Sequence, residues 1–597
     1  MTLEEVKDSY IKLIEKERLT LSKLKRTIFQ IGTLRLIVVL ACIALCYILW
    51  GNTLLLVSVI GLSIVLFLFL MKYHNRLFIK KRYCELLIQN AENELKGIDY
   101  DFSAFDGAPE KADASHSFSY DLDLFGNHSF FQSINRTVTS LGKDKLTDTL
   151  LYPFERKEDI IAQQEAIKEL SKNPRLLNYF RARGQMSETE DLDIHNFSQQ
   201  FLQTKLLSGS KWRFMKYIAP ITFFTAIVLN TIGLVPVSVV GMCWVILFGL
   251  SLLSLKDIAK KMSLFEKKLA TLDTYSKLFK IIENEEFHSS LLKELQQDVK
   301  DGQYASVAIH QLKSHSNNLD QSSNILGLLV LNPVLFWNVI FSVKIEKWIG
   351  EHKNNIVDWF KVLAKFDSLV SLAVFSYNNP SYVYPEVSET FMLKGENLGH
   401  PLLNRNVCVP NDIDIEKHPY FLVVTGANMA GKSTYLRTIG LNLVLACSGA
   451  PVCATAMTFY PFHLVTNLRT SDSLTDNESY FFAELKRLKM IIDRLQSGEQ
   501  LFIILDEILK GTNSEDKQKG SIALMKQLVS LAGNGIIATH DLLLGNLEKE
   551  FPEAIKNYRF EADIKDEQLS FTYKIREGVA QNMNASFLMK KMGITGL

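Results

Sequence analysis

Two stretches of this 597-residue chain carry no Asp, Glu, Lys or Arg over unusual lengths: Leu36 to Met71, 36 residues, and Tyr217 to Leu255, 39 residues. A membrane helix needs roughly 17 or more apolar residues to cross a hydrocarbon layer ~30 Å thick. Each stretch therefore holds two crossings if it turns near its middle. Both contain such a turn, Gly51-Asn52-Thr53 in the first and Asn230 to Pro236 in the second. The pattern predicts two transmembrane hairpins, hence four membrane helices. The alternative is two helical hairpins buried in a soluble core, but core helices keep a polar stripe and rarely stay free of charge for so long. A cleaved signal peptide does not fit a run that begins at residue 36, exceeds the usual length and lacks a small-residue cleavage site.

The flanks set an orientation. Lys23, Lys25, Arg26 and Arg35 precede the first hairpin, and Lys72, Arg76 and Lys80 to Arg82 follow it. Lys211, Arg213 and Lys216 precede the second, and Lys256, Lys260 and Lys261 follow it, while the turns are uncharged. By the positive-inside rule the chain is expected to be a multi-pass protein of the cytoplasmic (inner) membrane, with its N-terminus and all soluble parts in the cytoplasm. Membrane lipid is then an expected partner. The hydrophobic content of 47% is concentrated in these runs, and the formal net charge is +1. Such a charge gives no overall basic field, so any nucleic-acid contact must come from a local patch. Seven cysteines without a CxxC pair suggest neither a disulfide framework nor a zinc site, in keeping with a reducing compartment.

Chemistry enters at Gly426-Ala427-Asn428-Met429-Ala430-Gly431-Lys432-Ser433-Thr434. An apolar run, Tyr420 to Val424, reads as a buried strand before it, and Tyr435 to Leu445 reads as a helix after it. This is the strand, loop and helix context of a phosphate-binding loop: backbone N–H groups and the helix N-terminus cradle the anion, Lys432 reaches the outer phosphates and the Ser433 hydroxyl can ligate Mg2+. A second apolar run, Leu501 to Leu505, ends in Asp506-Glu507. Asp506 is expected to hold Mg2+, and Glu507 to orient or deprotonate the attacking water. A third, Gly535 to Thr539, delivers His540 to the same edge, where an imidazole can sense the terminal phosphate. ATP and Mg2+ are the expected cofactors, with no other small-molecule substrate.

These residues, taken together, resemble the MutS family of DNA mismatch repair, whose ATPase is related to the ABC type. The resemblance is carried by TGANMAGKSTYLRTIG at 425–440, SGAPVCA at 448–454, DSLTDNESYFFAEL at 472–485, LDEILKGTNSED at 505–516 and ATHD at 538–541. It implies an α/β P-loop ATPase domain, an all-α core and lever, and a homodimer in which Ser479 of one chain is offered to the ATP of the other. It also implies that Asn428 and Met429 belong to the nucleotide loop, that His540 is a switch histidine, and that mismatched or branched DNA is bound. Two departures stand out: Asn477 stands where the family has glycine before the signature serine, and Leu509-Lys510 where its mismatch-repair members have Gly-Arg.

The expected organisation is a helical N-terminal region, 1–97, holding the hairpin 36–71; an acidic linker, 98–118; a MutS-like core and lever, 119–386, interrupted by the hairpin 217–255; and the ATPase domain, 387–597. Residues 257–300 read as a lever-like amphipathic helix and Ile325 to Val343 as a buried core helix. The family's mismatch-reading domain and DNA clamp have no counterpart in the stretches where the chain enters the apolar runs. A different class of function therefore stands beside the DNA reading: an ABC-like membrane machine or scaffold that couples ATP to a protein or lipid partner. Solute transport is disfavoured because the spans carry no ionisable residue at mid-depth.

Overall fold

A computed structural model describes residues 1–186, 211–262, 266–325, 327–427, 429–469, 480–509, 512–565 and 568–581. Two long helices open it, α1 (Leu3–Ile48) and α2 (Thr53–Ile98), antiparallel and joined by a four-residue turn. The Asn52 side chain caps α2 by accepting from Leu55 N–H. Val6, Tyr10 and Ile14 of α1 are buried against Ile88, Ala91 and Ile98 of α2 and against Tyr377, with Leu3 and Leu13 partly buried beside them.

The helical body comprises α3 (Ser140–Leu151), α4 (Lys157–Ser171), α5 (Pro174–Gly184), α6 (Lys211–Thr231), α7 (Val237–Met262), α8 (Glu266–Asn284), α9 (Ser290–Lys300), α10 (Ala305–Asp320), α11 (Trp337–His352) and α12 (Asn355–Asn378). Helix α12 is its axis, buried along nearly its whole length. Among the described residues four helices contain windows long and apolar enough to cross a membrane; they are α1, α2, Phe214–Thr231 within α6 and Val237–Ser254 within α7. The turn between α6 and α7 lies at 232–236, where Asn230 Nδ2 donates to the Val235 carbonyl.

Three expectations need correction. The lever stretch 257–300 is not one helix: α8 ends at Asn284, and α9 begins at Ser290 after a loop whose His288 and Ser289 amides donate to Glu169. Ile325 to Val343 is not a single buried helix. It is π-helical over Gly327–Leu331, turns briefly over Asn332–Leu335, and bends by 72° into α11. Phe336 makes the bend by taking a left-handed backbone, φ +51°, and Ile325 is 76% exposed. The third correction concerns 98–118, expected as a linker, which is folded onto the α/β part. Its acids satisfy local amides, as Asp113 does for Ser115 N–H, while Phe118 is buried.

The α/β part contains two larger sheets. One is four-stranded, in the order β1 (Glu386–Val387), β5 (Ala456–Phe459), β2 (Leu393–Leu398), β3 (Asn411–Ile415). The other is six-stranded, in the order β12 (Arg576–Glu577), β9 (Ile555–Phe560), β4 (Tyr420–Gly426), β8 (Asn534–Thr539), β7 (Leu501–Asp506), β6 (His463–Asn467), parallel throughout except for β12. Its central strands are unbroken apolar runs because both faces are covered. Leu422, Val424, Ile504 and Ile536 face a core continuous with the helical body, including Leu122, Leu363 and Leu441. Phe421, Val423, Ile503 and Ile537 face a second core with Leu488 and Met525. Those covers include α13 (Lys432–Cys447) on one side and, on the other, α14 (Tyr480–Gln496) and α15 (Ser514–Ser530).

Candidate nucleotide site

Parallel pairing brings three strand ends to one edge. Thr425 of β4 lies opposite Thr539 of β8, and Ala538 opposite Asp506 of β7, so the turns after all three open into the same space. The loop after β4 is shaped by its glycines. A Cβ on Gly426 would stand 2.4 Å from the Phe560 carbonyl oxygen, and Gly431, at φ +108°, starts α13 in a left-handed conformation. Met429 is also left-handed, at φ +65°, and Ala430 is buried.

The buried Lys432 turns back over this loop, donating from Nζ to the carbonyls of Gly426 at 2.7 Å and Ala427 at 3.0 Å. The same Nζ lies 3.3 Å from His540 Nε2. His540 Nε2 is in turn 2.6 Å from Glu507 Oε1. Glu507 adopts φ +49°, a conformation a non-glycine residue takes at a cost of order 1–3 kcal/mol, and its N–H donates to the Ala538 carbonyl at 2.9 Å. Next to it, Ser433 Oγ donates to Asp506 Oδ2 at 2.6 Å. The structure thus gathers residues up to 108 positions apart at one sheet edge, as two neighbouring polar groups, Lys432–His540–Glu507 and Ser433–Asp506.

Lys432, Ser433, Asp506 and Glu507 border a cavity of about 380 Å3, also lined by Ala427, Gly431 and Thr434. Its far wall was not legible in the motifs. Leu398 ends β2, His400 and Leu403 follow it, and Tyr573 comes from the segment before β12. Burial, helped by the Arg437 guanidinium, pushes the His400 imidazole down to about 4, so this wall is neutral at physiological pH. A chamber with one polar end, holding a lysine and two carboxylates, and one largely apolar end suits a molecule that joins phosphates to a flat ring.

A second layer ties the site to the helical body. Asp121 accepts from Thr466 Oγ1 at 2.6 Å, Leu468 N–H at 3.1 Å and Arg469 N–H at 2.9 Å. Asp123 takes both Arg469 and Arg437. Arg487 of α14 donates to the carbonyls of Thr466, Ser115, His116 and Ser117, which holds the 113–118 strap down. Glu484, almost fully buried, accepts from Leu509 N–H one turn after the Asp506-Glu507 pair. Of the residues singled out in the sequence, Asn428, Asn477, Ser479 and Lys510 lie outside the described residues.

Residues 422–593 match the family model for MutS domain V, a span that contains every residue of the polar set. Over this C-terminal span the chain is similar to the MutS family. Among its curated relatives, the DNA mismatch repair protein MutS of Thermotoga petrophila is 31% identical over 271 residues, 44% of this chain and 32% of that protein. The DNA mismatch repair protein MutS of Staphylococcus haemolyticus is 29% identical over 248 residues, 40% of this chain and 27% of that one. MutS protein homolog 4 of Homo sapiens is 29% identical over 264 residues, 42% of this chain and 28% of the homolog. The chain thus aligns with no more than about a third of the length of these MutS relatives.

Proposed function

We propose that this MutS-family chain is a membrane-held ATPase that binds and hydrolyses ATP with Mg2+ and works as a homodimer. The observation that carries the reading is the convergence of Lys432, Ser433, Asp506 and Glu507 on one edge of a parallel sheet, around a cavity of about 380 Å3, with His540 against Lys432 and Glu507. The hydroxyl of Ser433 and the carboxylate of Asp506 form a pair of hard oxygen donors, the chemistry Mg2+ requires, and these two would hold it. Bound there, Mg2+ would draw charge from the phosphate oxygens. Lys432 would leave its two loop carbonyls for the outer phosphates. Glu507, braced by His540 and held in a strained backbone, would align and deprotonate water.

ATP turnover by the purified full-length protein tests this. Glu507→Gln should keep nucleotide binding and lose turnover about 100-fold or more, the contribution expected of a positioned base. Lys432→Ala should lose binding itself. Equal turnover by wild type and Glu507→Gln would remove Glu507 from the mechanism.

The relatives' names put DNA forward as the partner, and mismatched or branched duplex is the proposed ligand. The four apolar helices, a net charge of +1 and the aligned share of the relatives favour a second reading, in which ATP drives a protein or lipid partner at the membrane. Binding of branched duplex that weakens steeply with salt supports the first. Turnover stimulated by lipid and indifferent to DNA supports the second.

A further inference from the structure

The broken stretch between α10 and α11 is the tip of a helical hairpin, and it lies against α7. The Trp244 indole of α7 donates from Nε1 to the Leu329 carbonyl at 3.2 Å. Two turns lower, Asn338 of α11 donates from Nδ2 to Ser254 Oγ at 2.9 Å and to the Ser251 carbonyl at 3.2 Å. Ser254 ends the apolar window of α7, and Trp244 lies ten residues inside it. At ~1.5 Å per residue that is about 15 Å, half the thickness of a hydrocarbon layer.

From this we infer that Gly327–Leu335 forms a re-entrant element that dips into the bilayer beside the second hairpin and returns to the same side. The inference rests on the membrane reading proposed above. Its apolar face and the approach to it are otherwise unexplained: Ile325, Leu329 and Val330 are 76%, 42% and 50% exposed in the folded chain. Continuity with α7 says what covers them, since side chains level with the middle of an apolar span meet acyl chains.

Irregular backbone survives at such a depth only when its polar groups are satisfied within the protein. Here they are met by residues with that placement. Asn332, fully buried, accepts from Asn338 N–H at 3.2 Å and donates to the Ser322 carbonyl at 3.0 Å. Trp244 serves the Leu329 carbonyl, and Gly327 packs against the Gln321 carbonyl so closely that a Cβ would stand 1.9 Å from its oxygen. The 72° bend at Phe336 then turns the chain back along α11.

The test places a fluorescent non-natural amino acid at one position of the full chain, reconstituted in phosphatidylcholine and phosphatidylglycerol vesicles whose acyl chains carry bromine near their middle. Leu329 is the test position, with Val330 as a second should the first substitution disturb folding. Ile246, exposed on α7, is the membrane reference, and Tyr304, at the opposite end of α10, is the aqueous one. The expected result is loss of fluorescence at 329 or 330 to the same extent as at 246, with little loss at 304. Emission at 329 and 330 that ignores bromine but falls with aqueous iodide, as at 304, overturns the re-entrant element while quenching at 246 keeps the membrane reading. Absence of bromine quenching at 246 overturns both.

Discussion

Asp367 stands on α12 at the point where the helical body meets α3. Its carboxylate accepts from Val138 N–H, Thr139 N–H and Thr139 Oγ1, closing the N-terminus of α3, and it is packed so tightly that a Cβ on Gly142 would meet it at 2.2 Å. Burial outweighs these donors and pushes its carboxyl up from 3.8 to about 7. A raised acid is protonated more readily in the folded chain, so its contribution is neutral below about pH 4, becomes increasingly unfavourable as pH rises, and is constant above about pH 7. Three units correspond to about 4 kcal/mol. We expect the thermal midpoint of the detergent-solubilised wild type to fall from about pH 4 to pH 7 relative to that of Asp367→Asn. Parallel pH curves for the two proteins would show that Asp367 is charged throughout. At this scale the sequence was most legible where function is contiguous. The glycine-bounded loop 426–434 and the Asp506-Glu507 pair each lie within a few residues, whereas His400 and Tyr573 reach the same cavity from distant segments with no local signal.

Helix α2 carries the first hairpin's attachment to the body. Glu94, fully buried, pairs with Arg136 and Arg181, each at 2.7 Å, and also accepts from Asn378 Nδ2 at 2.8 Å. Tyr10 of α1 donates to the same Asn378, joining both helices of the hairpin to the end of α12. Burial opposes the Glu94 charge, but the two guanidiniums overcome it and hold its carboxyl below the usual range. Removing the carboxylate would strand two buried cations, so Glu94→Ala should destabilise the protein by about 3–5 kcal/mol. Chemical unfolding followed by near-UV circular dichroism measures this, and a loss under 1 kcal/mol would mean that water reaches the arginines (~1 kcal/mol being typical of exposed pairs). The charge-free run predicted the hairpin that α1 and α2 form; it does not show that an acid on a charged stretch is interior, because its partners lie 42 and 87 residues away. The 98–118 strap was misread for the same reason. Its acids look solvated until Arg487 and Thr466 are seen to hold its carbonyls.

Across the whole molecule, composition predicted the two hairpins because a charge-free run is a property of the local chain. The break at Gly327–Leu335 was hidden because Asn332, Pro333 and Asn338 are compatible with a buried helix until Phe336 turns the backbone left-handed. The membrane reading makes a topological prediction: a reporter at residue 1, 100 or 597 should be cytoplasmic, and one inserted at Asn52 or Gly233 external. Recovery of the full chain in the soluble fraction without detergent would sink it. Shared sites in a homodimer give another. Mixing a Lys432→Ala chain with a Ser479→Arg chain should restore part of the ATPase activity, because one composite site per mixed dimer keeps both elements. Strict additivity of the two residual activities, with mixed dimers shown to form, would refute sharing.

The tie between Glu94, Arg136 and Arg181 bears on symmetry. It fixes the first hairpin to the body at one place, and Asn338 fixes the second at another, so the body cannot swivel freely about either anchor. On the membrane reading proposed above, both hairpins would sit in one bilayer and every copy would stand the same way up. A twofold axis lying in the membrane plane would put the anchors of two partners on opposite faces. Only an axis along the bilayer normal remains. On that reading neighbouring copies would meet by diffusion in two dimensions, already upright, with rotation about a single direction left to search.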